Sequence, residues 1–316
     1  MSKIIFMGTP AFSSPLLKKI HESHHEVVLV VTQPDRQVGR KKELKPSPVK
    51  EMALELNLPV FQPEKIGSKE SVAYLKEFDA DLIVTAAFGQ FLTTTVLNLP
   101  RHGAVNVHAS LLPKYRGGAP VHYALWNNDS ETGLTYMRMA RKMDAGAILR
   151  QHILPIKRSD NVGHLFTRLS RLAEDTLIPF IDDLIAGKIQ PQEQNEEQAT
   201  YSPNISKEQE RINWNQSAEE IWSHIRAFNP FPGTYTTLEG QRFKIWDSEV
   251  LNTPNKQGIT DESVPGQIVY LTKEELHVQT GDGILLLKTV QPSGKSKLPI
   301  ETYLNGTTLK VNDQFI

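Results

Sequence analysis

Cysteine is absent from this 316-residue chain, which excludes disulfides, thiolate metal sites and a cysteine nucleophile. Long hydrophobic runs are absent as well. No stretch approaches the roughly 18–20 apolar residues of a membrane span, and the short run after Ser2-Lys3 is too brief for a signal-peptide core, so a soluble, cytoplasmic protein is expected. Neither sign of charge dominates: 35 Lys and Arg against 36 Asp and Glu leave a net charge of -1. That balance argues against a wholly basic nucleic-acid binder but leaves room for a local basic patch. The glycine pattern of a dinucleotide cradle is missing too. Gly8-Thr9-Pro10-Ala11-Phe12 has no second glycine at the G-x-G-x-x-G spacing and reads as a tight βα turn.

What is present is an orderly alternation. Apolar, β-branched runs at residues 3–7, 26–32, 81–86 and 104–108 alternate with helical segments. Ser14-Pro15 and Ser47-Pro48 each offer a serine N-cap followed by proline at the first helical position. Val49, Met52, Ala53 and Leu56 then recur at i, i+3, i+4 and i+7, one face of a helix. Residues 59–62 read as a short strand and 68–78 as a helix. Such alternation predicts right-handed βαβ units and a Rossmann-like, doubly wound, mostly parallel α/β sheet, in which ligands bind beyond the strands' C-terminal ends. A strand-like run at 153–156 and an amphipathic helix at 160–185, closed by Gly187, complete this part. Residues 190–200 are polar except for Ala199 and read as a linker. Beyond it, Ser217-Ala218-Glu219-Glu220 forms a capping box. Short runs at 234–238, 242–246, 267–271, 276–280 and 284–290, punctuated by glycines, then predict a small OB-like β-barrel. The expected division is a first domain at 1–189, a linker at 190–206 and a second domain at 207–316.

Within this frame one strand is anomalous. In Ala104-Val105-Asn106-Val107-His108, Asn106 and His108 lie two apart, on one face near the strand's C-terminal end, where a buried parallel strand normally carries Val, Ile and Leu. Asp144 follows in Met143-Asp144-Ala145-Gly146, a carboxylate at a glycine-containing turn. An amide and an imidazolium can both donate to an oxygen that is becoming negative. A nearby carboxylate favours the protonated imidazole or accepts a proton. Each residue alone is more simply a turn or capping group, and only the conjunction suggests a site. Ser110 is available as a nucleophile, but a hydroxyl at a strand end more commonly bonds turn backbone. No metal-ligand spacing accompanies the trio, so no metal is expected there.

The chain resembles the methionyl-tRNA formyltransferases from end to end. The resemblance is carried by Ile4-Ile5-Phe6-Met7-Gly8-Thr9-Pro10, Gln33-Pro34-Asp35-Arg36, Gly39-Arg40-Lys41-Lys42, Asn106-Val107-His108-Ala109-Ser110-Leu111-Leu112-Pro113, Tyr115-Arg116-Gly117-Gly118-Ala119-Pro120 and Met143-Asp144-Ala145-Gly146. In the second half it is carried by Arg226-Ala227-Phe228-Asn229-Pro230 and Thr280-Gly281-Asp282-Gly283. Met143 and Ala147 depart from the residues usual at those positions. The resemblance implies attack by the amino group of methionyl initiator tRNA on the formyl carbon of 10-formyltetrahydrofolate, with Asn106, His108 and Asp144 catalytic and no metal. It implies folate contacts at Phe88, Gly89, Gln90, Phe91 and Leu92, and at Ser110, Leu111, Leu112 and Pro113.

Arg36, Arg40, Lys41, Lys42 and Lys45 make residues 33–46 locally positive. Taken alone this is most simply a solvated surface loop, but loops of this length between strand and helix are often functional. The resemblance implies that the loop contacts the acceptor end of the tRNA. Two rival readings remain: a related folate-dependent formyltransferase acting on an amino-sugar nucleotide or glycinamide ribonucleotide, and an RNA-binding module with a decayed catalytic domain. Nothing in the sequence requires more than a monomer.

Overall fold

The computed structural model describes residues 1–38, 43–251 and 263–316. The chain divides into two compact units. The first comprises Met1–Pro120, Glu131–Pro155 and Phe166–Ser202, and the second Val121–Ser130, Ile156–Leu165 and Pro203–Ile316.

The elements of the N-terminal part are β1 (Lys3–Gly8), α1 (Ser14–His21), β2 (Glu26–Val31), β3 (Arg36–Val38), β4 (Glu43–Lys45), α2 (Pro48–Glu55), β5 (Val60–Phe61), α3 (Lys69–Lys76), β6 (Leu82–Ala86), α4 (Thr94–Leu97), β7 (Ala104–His108), α5 (Pro120–Trp126), β8 (Glu131–Arg138), β9 (Ile148–Pro155) and α6 (Val162–Ile185). Seven strands form one sheet in the order β5-β2-β1-β6-β7-β8-β9. Its pairings are parallel from β5 through β7 and antiparallel from β7 through β9. The order reverses between β1 and β6, so the carboxyl ends of β1, β6 and β7 mark the switch point where such sheets take ligands. β1 and β6 are almost wholly buried, as their continuous β-branched and aliphatic text requires.

Helix starts follow local chemistry. Ser47, Ser68 and Thr93 each accept a backbone N–H of the first turn through the side chain, filling donors the helix cannot satisfy itself. The first helix differs from expectation. Its N-cap is Ser13 rather than Ser14, and no side chain caps it. Ser13 Oγ instead donates to Ala86 O at 2.6 Å, tying the β1–α1 turn to the end of β6. A side chain at Gly8 would meet Ser13 Cβ at 2.8 Å and Ala86 O at 3.0 Å, so the turn is closed by tight packing.

The second unit carries α7 (Ala218–Ala227), β10 (Thr234–Leu238), β11 (Gln241–Leu251), β12 (Ile268–Leu271), β13 (Leu276–Gln279), β14 (Ile284–Pro292), β15 (Leu298–Pro299) and α8 (Ile300–Leu304). Its antiparallel sheet runs β10-β11-β14-β13-β12, with β15 on β14. C-terminal residues span the two ends: Phe315 bridges Leu238 and Gln314 bridges Gln267, which gives the sheet its barrel-like closure. The capping box at Ser217 and Glu220 is present, and α7 buries Ile221, Trp222 and Ile225 in a core shared with Phe243, Ile245, Leu285 and Leu287.

The division into compact units does not follow chain order. Trp126 stacks on His224 at 4.7 Å and 11°, and Arg226 Nη2 donates to Asn128 Oδ1 at 2.8 Å. Arg158 forms a paired contact with Glu219. These bonds draw residues 121–130 and 156–165 onto α7. The polar stretch expected as a linker belongs, up to Ser202, to the first unit. Low apolar content signals that a segment cannot build a core, but hydrogen bonds can still hold it.

Candidate active site

Asn106 and His108 lie on β7 as the alternation requires. Thr85 of β6 pairs with Asn106, and its hydroxyl lies 2.8 Å from Asn106 Oδ1. With that oxygen occupied, the amide is oriented and its NH₂ is the end turned toward other partners. His108 is buried, and its Nε2 lies 2.9 Å from Tyr115 O. A carbonyl only accepts, so Nε2 carries a proton, and Nδ1 is the atom facing Asp144 Oδ2 at 3.8 Å. That spacing is an ion-pair distance once the ring is doubly protonated, and is longer than a hydrogen bond.

Asp144 Oδ2 accepts the Gly117 N–H at 2.9 Å, so the two groups beside His108 are built by two loops. Tyr115 (φ 62) and Asp144 (φ 48) both adopt left-handed backbone, which is uncommon for residues with a side chain. Gly117 (φ 123) sits where a side chain would meet Ser202 O at 2.7 Å. The 115–119 loop is bound to residues 200–202. Tyr115 N donates to Thr200 Oγ1 at 2.9 Å, and Arg116 N to Thr200 O, Ser202 N to Arg116 O and Ala119 N to Ser202 O. Arg116 is fully buried and gives both arms of its guanidinium to Glu196, at 3.1 and 2.9 Å. Arg116 and Lys142 hold the Glu196 carboxyl down at about 2.

The folate expectations fall on two segments. Phe88 and Leu92 are buried in the core beside Ile5, Met7 and Leu29, and Phe91 is exposed. Phe88 O accepts from Thr9 Oγ1 at 2.9 Å and Gln33 Nε2 at 3.2 Å. Gln90 is engaged at both ends, with Ile66 N–H and with Pro63 O. Ser110 is fully buried and donates to Lys114 O at 2.6 Å, a turn bond of the kind that disfavours a nucleophilic role. Thr135 Oγ1 donates to Ser110 O, and Gln151 donates to Leu112 O. Leu112 is buried, and Leu111 and Pro113 are partly exposed.

Of the basic loop, Arg36 and Lys45 are exposed and face each other across the β3–β4 pair, and Arg36 lies 3.4 Å from Glu64. Arg40, Lys41 and Lys42 lie outside the described residues. The base of the loop is clamped. Asp35 accepts from Lys50 at 2.6 Å and from Gln62 at 2.7 Å, and these bonds lower its pKa below the ordinary carboxylate value.

One group among the described residues has side chains close enough to share a cation: His24, His25 and Asp182. Both Nε2 atoms instead bond Asp182 Oδ1, at 2.8 and 3.1 Å. His25 Nδ1 is buried without a partner, whereas a metal-bound imidazole normally donates from its second nitrogen.

Sequence reasoning missed Thr85, Gln194, Glu196, Thr200 and Ser202, and gave Arg116 no role. The one available signal was an arginine in a Gly-Gly loop between His108 and Asp144 in the sequence, which calls for a carboxylate partner.

A mostly parallel α/β unit with polar groups at its switch point, followed by an antiparallel barrel-like unit, defines a two-part transferase architecture. The family model for formyl transferases matches residues 2–181 and that for the formyl transferase C-terminal domain matches residues 204–308, so the chain belongs to the formyl transferase family. Within it the similarity is to the methionyl-tRNA formyltransferases. The protein of that name from Enterococcus faecalis is 49% identical over 315 residues, 99% of each chain. That from Lactococcus lactis subsp. cremoris is 50% identical over 317 residues, 98% of this chain and 97% of its own. Among solved structures, the sugar 3N-formyl transferase WlaRD shares the fold with a TM-score of 0.66 at 20% identity, over 94% of this chain and 99% of its own. Methionyl-tRNA formyltransferase from Clostridium thermocellum gives 0.56 at 18% identity, over 80% of this chain and 95% of its own.

Proposed function

We propose that this chain transfers the formyl group of 10-formyltetrahydrofolate to the amino group of methionyl initiator tRNA. The observation that carries the chemistry is His108 set between Tyr115 O and the Asp144 carboxylate, next to an Asn106 amide whose oxygen is already occupied. The near-complete coverage of the curated relatives supports the choice of substrate.

In the reaction the amine attacks the formyl carbon, a new C–N bond forms, the bond to N10 breaks, and the amine's proton passes to the departing nitrogen. Asn106 Nδ2 donates to the oxygen as it becomes negative. His108 donates from Nδ1–H in its doubly protonated form, since Nε2–H is held by Tyr115 O. The 3.8 Å gap to Asp144 lets that N–H turn to the substrate oxygen while the carboxylate still balances the imidazolium charge. Asp144 also receives the proton, directly or through water. The residues fit a folate donor in kind. Backbone at Gly89 to Phe91 and the partly exposed Leu111 and Pro113 offer a surface for the pterin, while Gln90 and Ser110 shape those segments through their internal bonds. Arg36, Arg40, Lys41, Lys42 and Lys45 would meet the tRNA phosphates. On this reading the enzyme is a cytoplasmic monomer that uses no metal.

The test is to incubate the protein with 10-formyltetrahydrofolate and charged initiator tRNA and to look for formylmethionine. Amino-sugar nucleotides and glycinamide ribonucleotide serve as competing acceptors, and preferred formylation of either would overturn the substrate assignment. His108→Ala and Asp144→Asn should each lower kcat by on the order of 100-fold or more while melting temperature is retained. Near-wild-type turnover in either would remove that residue from the mechanism.

A further inference from the structure

We propose that Gln194 is a positioning residue for the reaction, the group that holds the Asp144 turn in register with His108. The inference rests on the catalytic reading of Asp144 given above.

Gln194 Nε2 donates to Asp144 O at 2.8 Å and to Gly146 O at 2.7 Å. Its Oε1 accepts from Arg116 Nε at 3.0 Å and Nη2 at 2.8 Å. All four hydrogen-bonding positions of the amide are used, and Arg116, which can only donate, dictates which way the amide faces. One side chain therefore joins the two loops that flank the His108 ring. Arg116 lies between Tyr115, whose carbonyl meets His108 Nε2, and Gly117, whose N–H meets Asp144 Oδ2.

The turn needs such support. Asp144 sits in left-handed backbone, φ 48, which disfavours a residue with a side chain. Gly146 lies so close to β8 that a Cβ there would stand 1.9 Å from Arg138 O. The turn's own backbone bond, Ala145 N to Lys142 O, is long at 3.3 Å. The two N–H groups of Gln194 fix the peptides that follow Asp144 and Gly146 and so aim the carboxylate. Misplacing a catalytic group by about 1 Å can cost roughly 100-fold in rate, so this amide has leverage on turnover without touching substrate.

Two substitutions separate positioning from simple support. Gln194→Met keeps length and removes every polar bond. Gln194→Glu keeps the acceptor for Arg116 and sets an anion against the two carbonyls. Both should lower kcat roughly 10- to 100-fold, with KM for tRNA and for folate within about threefold and melting temperature within a few degrees of wild type. A kcat within twofold of wild type in a folded variant, or a rise in KM at unchanged kcat, would overturn the proposal. Amide hydrogen exchange supplies a readout independent of activity. Residues 143–147 should exchange faster in Gln194→Glu while the strands of the main sheet keep their protection, and unchanged exchange at the turn would equally overturn it. If the wild-type chain failed to formylate tRNA, the catalytic reading would fall while the exchange experiment still decided what Gln194 holds.

Discussion

Thr85 shows how one hydroxyl can set the direction of a neighbouring strand's amide. Its Oγ1 lies 2.8 Å from Asn106 Oδ1 and 3.1 Å from Val105 O, and as donor to Oδ1 it leaves the Asn106 NH₂ for other partners. Thr85→Val preserves shape and β-branching and deletes only the hydroxyl. A neutral hydrogen bond of this kind contributes about 1 kcal/mol, so kcat should fall roughly fivefold, with KM for folate little changed. A Thr85→Val enzyme of full turnover would show that the amide is oriented by other means. Asn106, His108 and Asp144 stand out in the sequence as candidates because polar groups in a buried strand and at a glycine turn conflict with their surroundings, and the structure sets His108 and Asp144 side by side. Thr85 was not, since a threonine in Leu82–Ala86 satisfies every local rule for a strand. Gln194 was hidden for the opposite reason: among so many polar neighbours, one glutamine carries no contrast.

At the scale of elements, α7 carries the clearest electrostatic consequence. His224 is buried against Trp126 and edge-on to Phe228, and its Nε2 lies 2.8 Å from Gln209 O. Burial lowers its pKa from 6.5 to about 4. The folded chain thus refuses a proton that the unfolded chain accepts. The contribution of neutral His224 is fully present above pH ~6.5 and is lost as pH falls from there toward the folded value. The whole shift is worth about 3 kcal/mol. Denaturant unfolding of the second unit at pH 7 and pH 5 should show the loss, and His224→Gln should flatten that part of the pH dependence. A wild-type profile flat between pH 7 and 5 would contradict a neutral buried His224. Sequence anticipated α7 through its capping box, and anticipated β10 to β14 through their β-rich runs. It missed β8, where Glu131–Arg138 mixes polar and apolar residues without clean alternation and gains its place by antiparallel pairing with β7. It also misplaced the first N-cap, because Ser13 is claimed by a strand 73 residues away, a long-range contact no local signal can report.

For the whole molecule, charge decides how a large anion is recruited. With a net charge of -1 the protein has no global attraction for nucleic acid, so any attraction must come from local groups. Arg36 and Lys45 stand exposed at the base of a loop that Asp35, Lys50, Gln62 and Gln33 fasten to the sheet. A fastened base holds Arg36 and Lys45 beside the segment that follows β2. Each phosphate neutralised releases condensed counterions, and affinity then falls with salt by a log–log slope of roughly 0.7–0.9 per contact. The tRNA KM should therefore climb steeply between low and physiological salt, while the folate KM changes little. Replacing Arg40 and Lys42 with alanine should raise the tRNA KM by roughly tenfold or more at low salt and reduce that slope by about 1.5, leaving the folate KM within twofold. Steady-state kinetics at a series of KCl concentrations with each substrate varied in turn makes the measurement. Equal effects on both substrates, or an unchanged salt slope in the double variant, would mean that the basic residues serve the fold or the folate, and that the tRNA is recruited by another surface.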